Sequence, residues 1–331
     1  MFPEHYVCVW VDRLGALVVY EELARQWPAL SWIYCGDVFY GGAHIAELGD
    51  DSQKKTLLPQ LARGEILFSY ALTEPGGGSD LGACQTMATA RGQDFAINGQ
   101  KTYISAADIA DYWLTLVRTS KELPRRQAFT MFIVNSRAPG TQVRPIEKIG
   151  FWGCNACEVF FDNTPVSKES ILGGPSGLGK GWEQLLKTLV VERLEVAACA
   201  IGIAQGALDK ALAYARDREQ YGQPIIGFQG VSHRLAEMAT EVQAARLLVY
   251  YAAYLDEQGR SCYTEASMAK LFASDVAKRN AQQAVLIAGG HGYMMESEMQ
   301  RYYRDSLGVV IGGGTPEIEK ESISKGLQMQ G

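Results

Sequence analysis

Long apolar runs are missing from this 331-residue chain. No stretch approaches the ~20 residues that a membrane span requires, so no membrane insertion is expected. Basic clusters are missing too. Thirty-one Lys and Arg face 37 Asp and Glu, leaving a net charge of -6, which argues against nucleic acid as a partner. Histidine is scarce, with four residues, and the seven cysteines are scattered and odd in number. Their one close pair, Cys154 and Cys157, has no second pair or nearby His to complete a zinc set, so no metal is expected and the thiols read as reduced and structural. There is no internal repeat or low-complexity tract; no secretory leader and a cytoplasmic location are expected. What is plentiful is apolar material. At 47% hydrophobic, the chain can build cores for two or three domains.

Residues 1–65 read as helical. Leu14, Leu17, Val18, Glu21, Glu22 and Leu23 belong to one helix, and Asp51 or Ser52 is the expected N-cap of another. Residues 66–175 change character: short β-rich runs such as Tyr112–Val117, Phe129–Val134 and Glu158–Phe161 are separated by Gly, Pro and Asn. Residues 176–331 turn helical again, with long segments near 180–217, 229–258 and 263–289, joined by short connections that suggest an antiparallel bundle. The expected fold is α+β: an N-terminal helical part, a middle β-barrel or sandwich, and a C-terminal four-helix bundle.

The most informative string is Tyr70-Ala71-Leu72-Thr73-Glu74-Pro75-Gly76-Gly77-Gly78-Ser79-Asp80. An apolar run stops at Pro75, and three glycines then allow close approach of backbone to a ligand. In order along the chain follow Ile97-Asn98-Gly99-Gln100-Lys101-Thr102-Tyr103-Ile104-Ser105, Glu192-Arg193-Leu194, Arg218-Glu219-Gln220-Tyr221-Gly222, Gly289-Gly290-His291-Gly292-Tyr293 and Ile311-Gly312-Gly313-Gly314-Thr315. This ordered set resembles the acyl-CoA dehydrogenase family over nearly the whole chain.

The resemblance implies FAD as cofactor, an acyl-CoA substrate, an electron-transfer flavoprotein as electron acceptor, and a homodimer or homotetramer. It places Tyr70, Leu72, Thr73, Gly78, Ser79, Tyr103 and Ser105 on the flavin, with Ser79 also near substrate. Arg218 and Tyr221 would reach the FAD of a neighbouring subunit, Gly290 would also touch the cofactor, and Thr315 and Glu317 would lie near the adenosine half of FAD. Leu286 stands where the family commonly has Gln, which removes one polar contact to that FAD. Arg193 would lie near the CoA moiety, with a helix-packing ion pair as the alternative.

The familiar catalytic Glu of the family falls at Gly313, where no carboxylate exists. In the isovaleryl- and long-chain-type branches the base sits instead at the position of Glu192, paired with Gly at the other place, and this chain has that pairing. The residues support it independently. Leu185, Leu189, Val196, Cys199 and Ile203 form a helical stripe that includes position 192, so the carboxylate is expected to face the core, where desolvation raises its pKa as a general base needs. A structural salt bridge is the competing role. Gly313 would offer its N–H to the thioester carbonyl, and a Glu placed there is expected to restore part of the base function.

Other chemistries on the same flavin remain open: an enoyl-CoA reductase, an acyl-CoA oxidase, a nitroalkane oxidase, or a catalytically inactive binding subunit. The segment Met1–Tyr6 resembles a point well inside the family's N-terminal domain, so the chain is expected to be a fragment, a mis-assigned start or a diverged short form, with Leu14, Leu17 and Val18 uncovered.

Overall fold

The computed structural model describes residues 12–328; the reading of the chain's first residues lies outside them. In chain order the main elements are α1 (Arg13–Gln26), α2 (Pro28–Cys35), a π-helical stretch (Gly36–Ala43), α3 (His44–Leu48) and α4 (Asp51–Ala62). Seven strands follow: β1 (Phe68–Ala71), β2 (Met87–Arg91), β3 (Asp94–Ser105), β4 (Tyr112–Arg118), β5 (Phe129–Asn135), β6 (Thr141–Ile146) and β7 (Ala156–Val166). Then come α5 (Gly181–Asp217), the two-residue strands β8 (Glu219–Gln220) and β9 (Gln223–Pro224), α6 (Gln229–Glu257), α7 (Tyr263–Ala288), α8 (Gly290–Tyr293), α9 (Glu298–Ile311) and α10 (Pro316–Gln328). The helical, β and helical succession is the expected fold class. No described helix is long and apolar enough to cross a membrane.

The described residues fall into two compact units, one of 33–148 and 153–189, the other of 12–32, 149–152 and 190–328. In the first, a curled sheet has the order β1-β4-β2-β3-β7-β6, with β5 on β4. Strands β4 and β5 are apolar without alternation because both of their faces are covered. Leu114 and Leu116 pack with Leu57, Leu58 and Leu61 of α4 on one side. Trp113 and Val117 pack with Ile97, Val159 and Phe161 on the other. Helix α4 starts one residue earlier than expected. Its N-cap is Asp50, which accepts from Gln53 N at 2.8 Å while Gln53 Oε1 accepts from Asp50 N at 3.2 Å, a reciprocal capping box.

In the second unit α7 packs against α6, α9 and α10. Helix α1 packs on α5 and α6. Gly202 and Gly206, four residues apart on α5, are what lets it come close: a Cβ at either would lie 2.3 Å from Glu21 O or 2.4 Å from Arg25 O. Ion pairs seal the seam, Arg25 Nε with Asp209 at 2.6 Å and Arg246 Nη2 with Glu21 at 2.7 Å. Leu17 is fully buried there, so the expected bare patch does not include it, while Val18 and Val19 are exposed. Strands β8 and β9 form a hairpin whose two loop residues, Tyr221 (φ 52°) and Gly222 (φ 82°), are both left-handed, the requirement of a type I′ turn.

Candidate active site

Within the sheet-containing unit, the structure brings the first two motif segments side by side. Thr102 N–H donates to Thr73 O at 2.9 Å, and Ser69 Oγ donates to Ser105 O at 2.6 Å. The pairing of β3 with β7 slips between Lys101 and Ile104. This bulge re-aims a side chain: Tyr103 sits at φ 60° with its ring 68% exposed. Such a backbone costs about 1–3 kcal/mol in a non-glycine residue, so the fold holds an aromatic face in the open against a local preference. Leu72 is buried, Thr73 and Ser105 are half-buried, and Gly78 and Ser79 lie on the exposed turn that follows.

The framework beneath this surface was not legible as motif function. Lys101, fully buried, donates to Leu72 O at 2.9 Å, to Glu74 Oε1 at 2.8 Å and to Cys84 Sγ at 3.3 Å. Glu74 also accepts from Gln85 N at 2.6 Å and Thr86 N at 3.0 Å. Burial pushes the Glu74 carboxyl up, but the Lys101 ammonium and these hydrogen bonds outweigh it and hold it down at about 2. Tyr70 has a second support. Its ring stacks on Tyr40 at 4.8 Å and its hydroxyl lies 3.3 Å from His44 Nε2. His44 is buried, which lowers it to about 4 and keeps it neutral. Tyr40 and His44 lie in and beside the π-helical stretch, for which the sequence pattern carries no signal.

In the helical unit, the carboxylate expected to face the core, Glu192, is half-buried, beside Val191 and a run of α5 that is buried at every position from 193 to 204. Among the described residues no donor hydrogen-bonds this carboxylate. Burial raises it to about 7, with Glu319 reinforcing the shift and Arg193 and Lys270 opposing it. One helical turn on, Val196 meets the α9–α10 turn, where Gly313 and Gly314 have φ 67° and 107°. A Cβ at Gly313 would lie 2.8 Å from Val196 Cγ2. A Glu at 313 would carry both the contact and the left-handed strain, so the expected exchange of base positions is not supported.

Arg193 makes the helix-packing ion pair that is the alternative for it. Only 3% of its side chain is exposed. Its Nε pairs with Glu319 at 2.9 Å, its Nη2 donates to Ser322 Oγ at 3.0 Å and Tyr263 Oη at 3.3 Å, and the guanidinium lies over the Tyr263 ring. These contacts tie α5 to α7 and α10, while Arg193 Nη1 has no hydrogen-bond partner among the described residues. Thr315 precedes α10, with Pro316 at its first position, and Glu317 is exposed on its first turn.

Elsewhere in this unit an open cleft of about 440 Å³ is lined by Tyr214, Arg218, Tyr221, Phe228 and Ile287. Arg218 is exposed and makes no ion pair among the described residues. Tyr221, at the hairpin tip, is 95% exposed and meets Phe228 edge-on at 6.2 Å. Gly290 follows directly on the cleft wall, after Gly289 at φ 60°. A free guanidinium beside aromatic walls suits a pyrophosphate with a flat ring attached. The open ring of Tyr103 and the polar strand ends around Thr73 suit a flavin. On both counts the residues present fit FAD.

Comparison with known proteins agrees with this chemistry. Residues 1–65, 69–164 and 179–328 match the acyl-CoA dehydrogenase N-terminal, middle and C-terminal domains. The chain is 39% identical over 327 residues to the probable acyl-CoA dehydrogenase YngJ of Bacillus subtilis, covering 98% of this chain and 85% of that protein. It is 36% identical over 314 residues to the caffeyl-CoA reductase-Etf complex subunit CarC of Acetobacterium woodii, covering 95% and 82%. The crystal structure of butyryl-CoA dehydrogenase from Megasphaera elsdenii superposes with a TM-score of 0.94 at 33% identity, covering 99% of this chain and 86% of that one.

Proposed function

Because this chain belongs to the acyl-CoA dehydrogenase family of oxidoreductases, we propose that it dehydrogenates an acyl-CoA thioester between Cα and Cβ, with Glu192 as the base. One observation carries the assignment: Glu192 is the opening in an otherwise buried stretch of α5, unpaired, and raised to about 7. A base must be largely ionised at working pH and still hold a proton well, and a pKa near neutrality meets both needs.

Glu192 would take the α-proton. The Gly313 N–H, on the turn one helical turn along α5, would donate to the thioester carbonyl and stabilise the charge that develops as the proton leaves. Bound FAD would supply the hydride acceptor for the β-carbon. Tyr70, Leu72, Thr73, Gly78, Ser79, Tyr103 and Ser105 would hold its flavin, with Ser79 also facing substrate. Arg218, with Tyr221 beside it, would meet the pyrophosphate of a neighbouring subunit's FAD, Gly290 would also touch the cofactor, and Thr315 and Glu317 would lie near the adenosine half. The exposed hairpin tip supports reach across a dimer or tetramer. An electron-transfer flavoprotein is the proposed electron acceptor, by analogy with the Etf complex of the CarC relative.

That relative also favours a second reading, reduction of an enoyl-CoA by the same residues run in reverse. Here Glu192 would return a proton to the α-carbon.

The test is anaerobic bleaching of the bound flavin by a panel of acyl-CoAs. Glu192→Gln should keep its colour and bind acyl-CoA, yet reduce flavin ~10²–10⁴-fold more slowly. Near-normal bleaching by this variant would remove Glu192 from the chemistry. Reoxidation of reduced holoenzyme by an enoyl-CoA, faster than bleaching by its saturated partner, would favour the reductase reading.

A further inference from the structure

One charged group beside Glu192 has no role in the proposal above. Lys270 lies in the middle of α7 and is fully buried. It makes no ion pair among the described residues. Its ammonium donates to Val310 O at 3.0 Å and, in a short contact, to Gly314 O. These carbonyls flank Gly313, one at the end of α9 and the other at the far side of the glycine turn.

A buried ammonium is costly, and an apolar side chain of similar volume would pack α7 at less expense. What Lys270 adds is order where the sequence has little. Gly312-Gly313-Gly314 has no side chains to fix it, and two of its residues adopt left-handed φ. Such a run samples many backbone directions unless something ties it. Lys270 ties it at both ends, and its positive charge also suits the negative C-terminal end of α9.

We propose that Lys270 is a positioning residue for the reaction: it clamps the turn so that the Gly313 N–H points at the thioester carbonyl, and it presents a positive charge to Glu192. This rests on the reading of Glu192 as the base. The groups that face Glu192 are Arg193 on its own helix, Lys270 from α7 and Glu319 from α10. Arg193 pairs with Glu319 at 2.9 Å, and Lys270, with no ion pair of its own, is drawn to both Glu319 and Glu192. Burial lowers Lys270 to about 8, against the pull of Glu319 and Glu192, so it is mostly charged at neutral pH.

The sign of the effect follows. A cation beside a carboxylate favours its ionised form, so removing the cation raises the carboxylate's pKa. Flavin reduction needs Glu192 ionised, so its acid limb should move to higher pH.

The experiment compares holoenzymes of the wild type, Lys270→Gln and Lys270→Met by anaerobic flavin reduction across pH, together with affinity for a non-reactive acyl-CoA thioether. Gln keeps N–H donors for the two carbonyls and loses the charge; Met loses both. Both variants should shift the acid limb upward by roughly one pH unit. Lys270→Met should also slow reduction at the plateau by about 100-fold, the cost of a displaced turn, and Lys270→Gln by much less. A purely structural Lys270 would lower melting temperature and leave the limb in place; an unmoved limb in folded variants overturns the proposal. If neither variant folds, the Lys270 Nζ signal of ¹⁵N-lysine-labelled wild type decides. It should shift when the thioether binds, and a signal unchanged at saturation overturns the proposal. Glu192→Gln is the control that separates the two assignments: wild-type reduction by it would sink the base, whatever Lys270 does.

Discussion

In the sheet-containing unit Glu74 is buried against Lys101, with backbone N–H groups and a thiol completing its shell, and its carboxyl is held down at about 2. In the helical unit Glu192 is more open to solvent, yet its carboxyl stands at about 7. In both, burial pushes the carboxyl up. What separates them is the company each keeps. Glu74 has an ammonium within 2.8 Å and two N–H donors, while Glu192 has no donor and the neighbouring arginine is spent on Glu319. The first arrangement fixes a loop. The second keeps a proton exchangeable.

The comparison can be broken most forcefully at Lys101. Lys101→Met leaves Glu74 buried and uncompensated, and should destabilise the protein by about 3–5 kcal/mol, measured by urea denaturation at pH 7. Adding Glu74→Gln should recover part of the loss. In wild type, the Glu74 contribution should be present above about 4.5, its ordinary value, and disappear as pH falls towards 2. A cost below about 1 kcal/mol for Lys101→Met would place the pair among ordinary surface bridges and dissolve the contrast.

A middle-sized effect is expected at the turn beside Glu192. Gly313→Ala adds a Cβ at φ 67° and 2.8 Å from Val196 Cγ2, and should cost about 1–3 kcal/mol from backbone strain alone. Val196→Ala in that background should relieve the contact but not the φ, so the rescue should be incomplete. Complete rescue would show that packing, not backbone, sets the requirement for glycine.

The smallest effect has the opposite sign from the first. A carboxyl raised from its ordinary 4.5 to about 7 favours folding most below 4.5, and that favour is lost as pH rises through 7. Glu192→Gln should therefore leave melting temperature almost unchanged at pH 5 and raise it at pH 8. Scanning calorimetry at the two values checks this. Destabilisation at pH 8 would make Glu192 a structural acid like Glu74.

The strands and long helices were legible because their signals are local: β4, β5, α6 and α7 lie within a residue or two of the expected ranges. The N-cap of α4 was misplaced by one residue because Asp50, Asp51 and Ser52 are all competent caps, and the choice falls to the one whose partner three residues on is Gln53. For Arg193 the motif leaves a CoA contact and a helix-packing ion pair both open, because its position says nothing of the Glu319, Tyr263 and Ser322 that close around it from remote segments. Glu192 was found through the motif. Its stripe on α5 separates it little from its neighbours, since every position from 193 to 204 is buried. The supports of the site, Lys101, His44 and Lys270, stayed hidden because each acts through backbone or distant partners that no spacing encodes.

The glycine seam between α1 and α5 also sets an order of events in the making of the chain. Arg25 and Asp209 are 184 residues apart, so α1 leaves the ribosome long before the surface that covers Leu17 and Tyr20 has been synthesised. At typical elongation rates the wait is about 10–40 s. Through that interval the α1 segment lacks Asp209 and Arg246, the partners of its Arg25 and Glu21, and a helix of its length is marginal without packing. The helix made early is among the last to find its place.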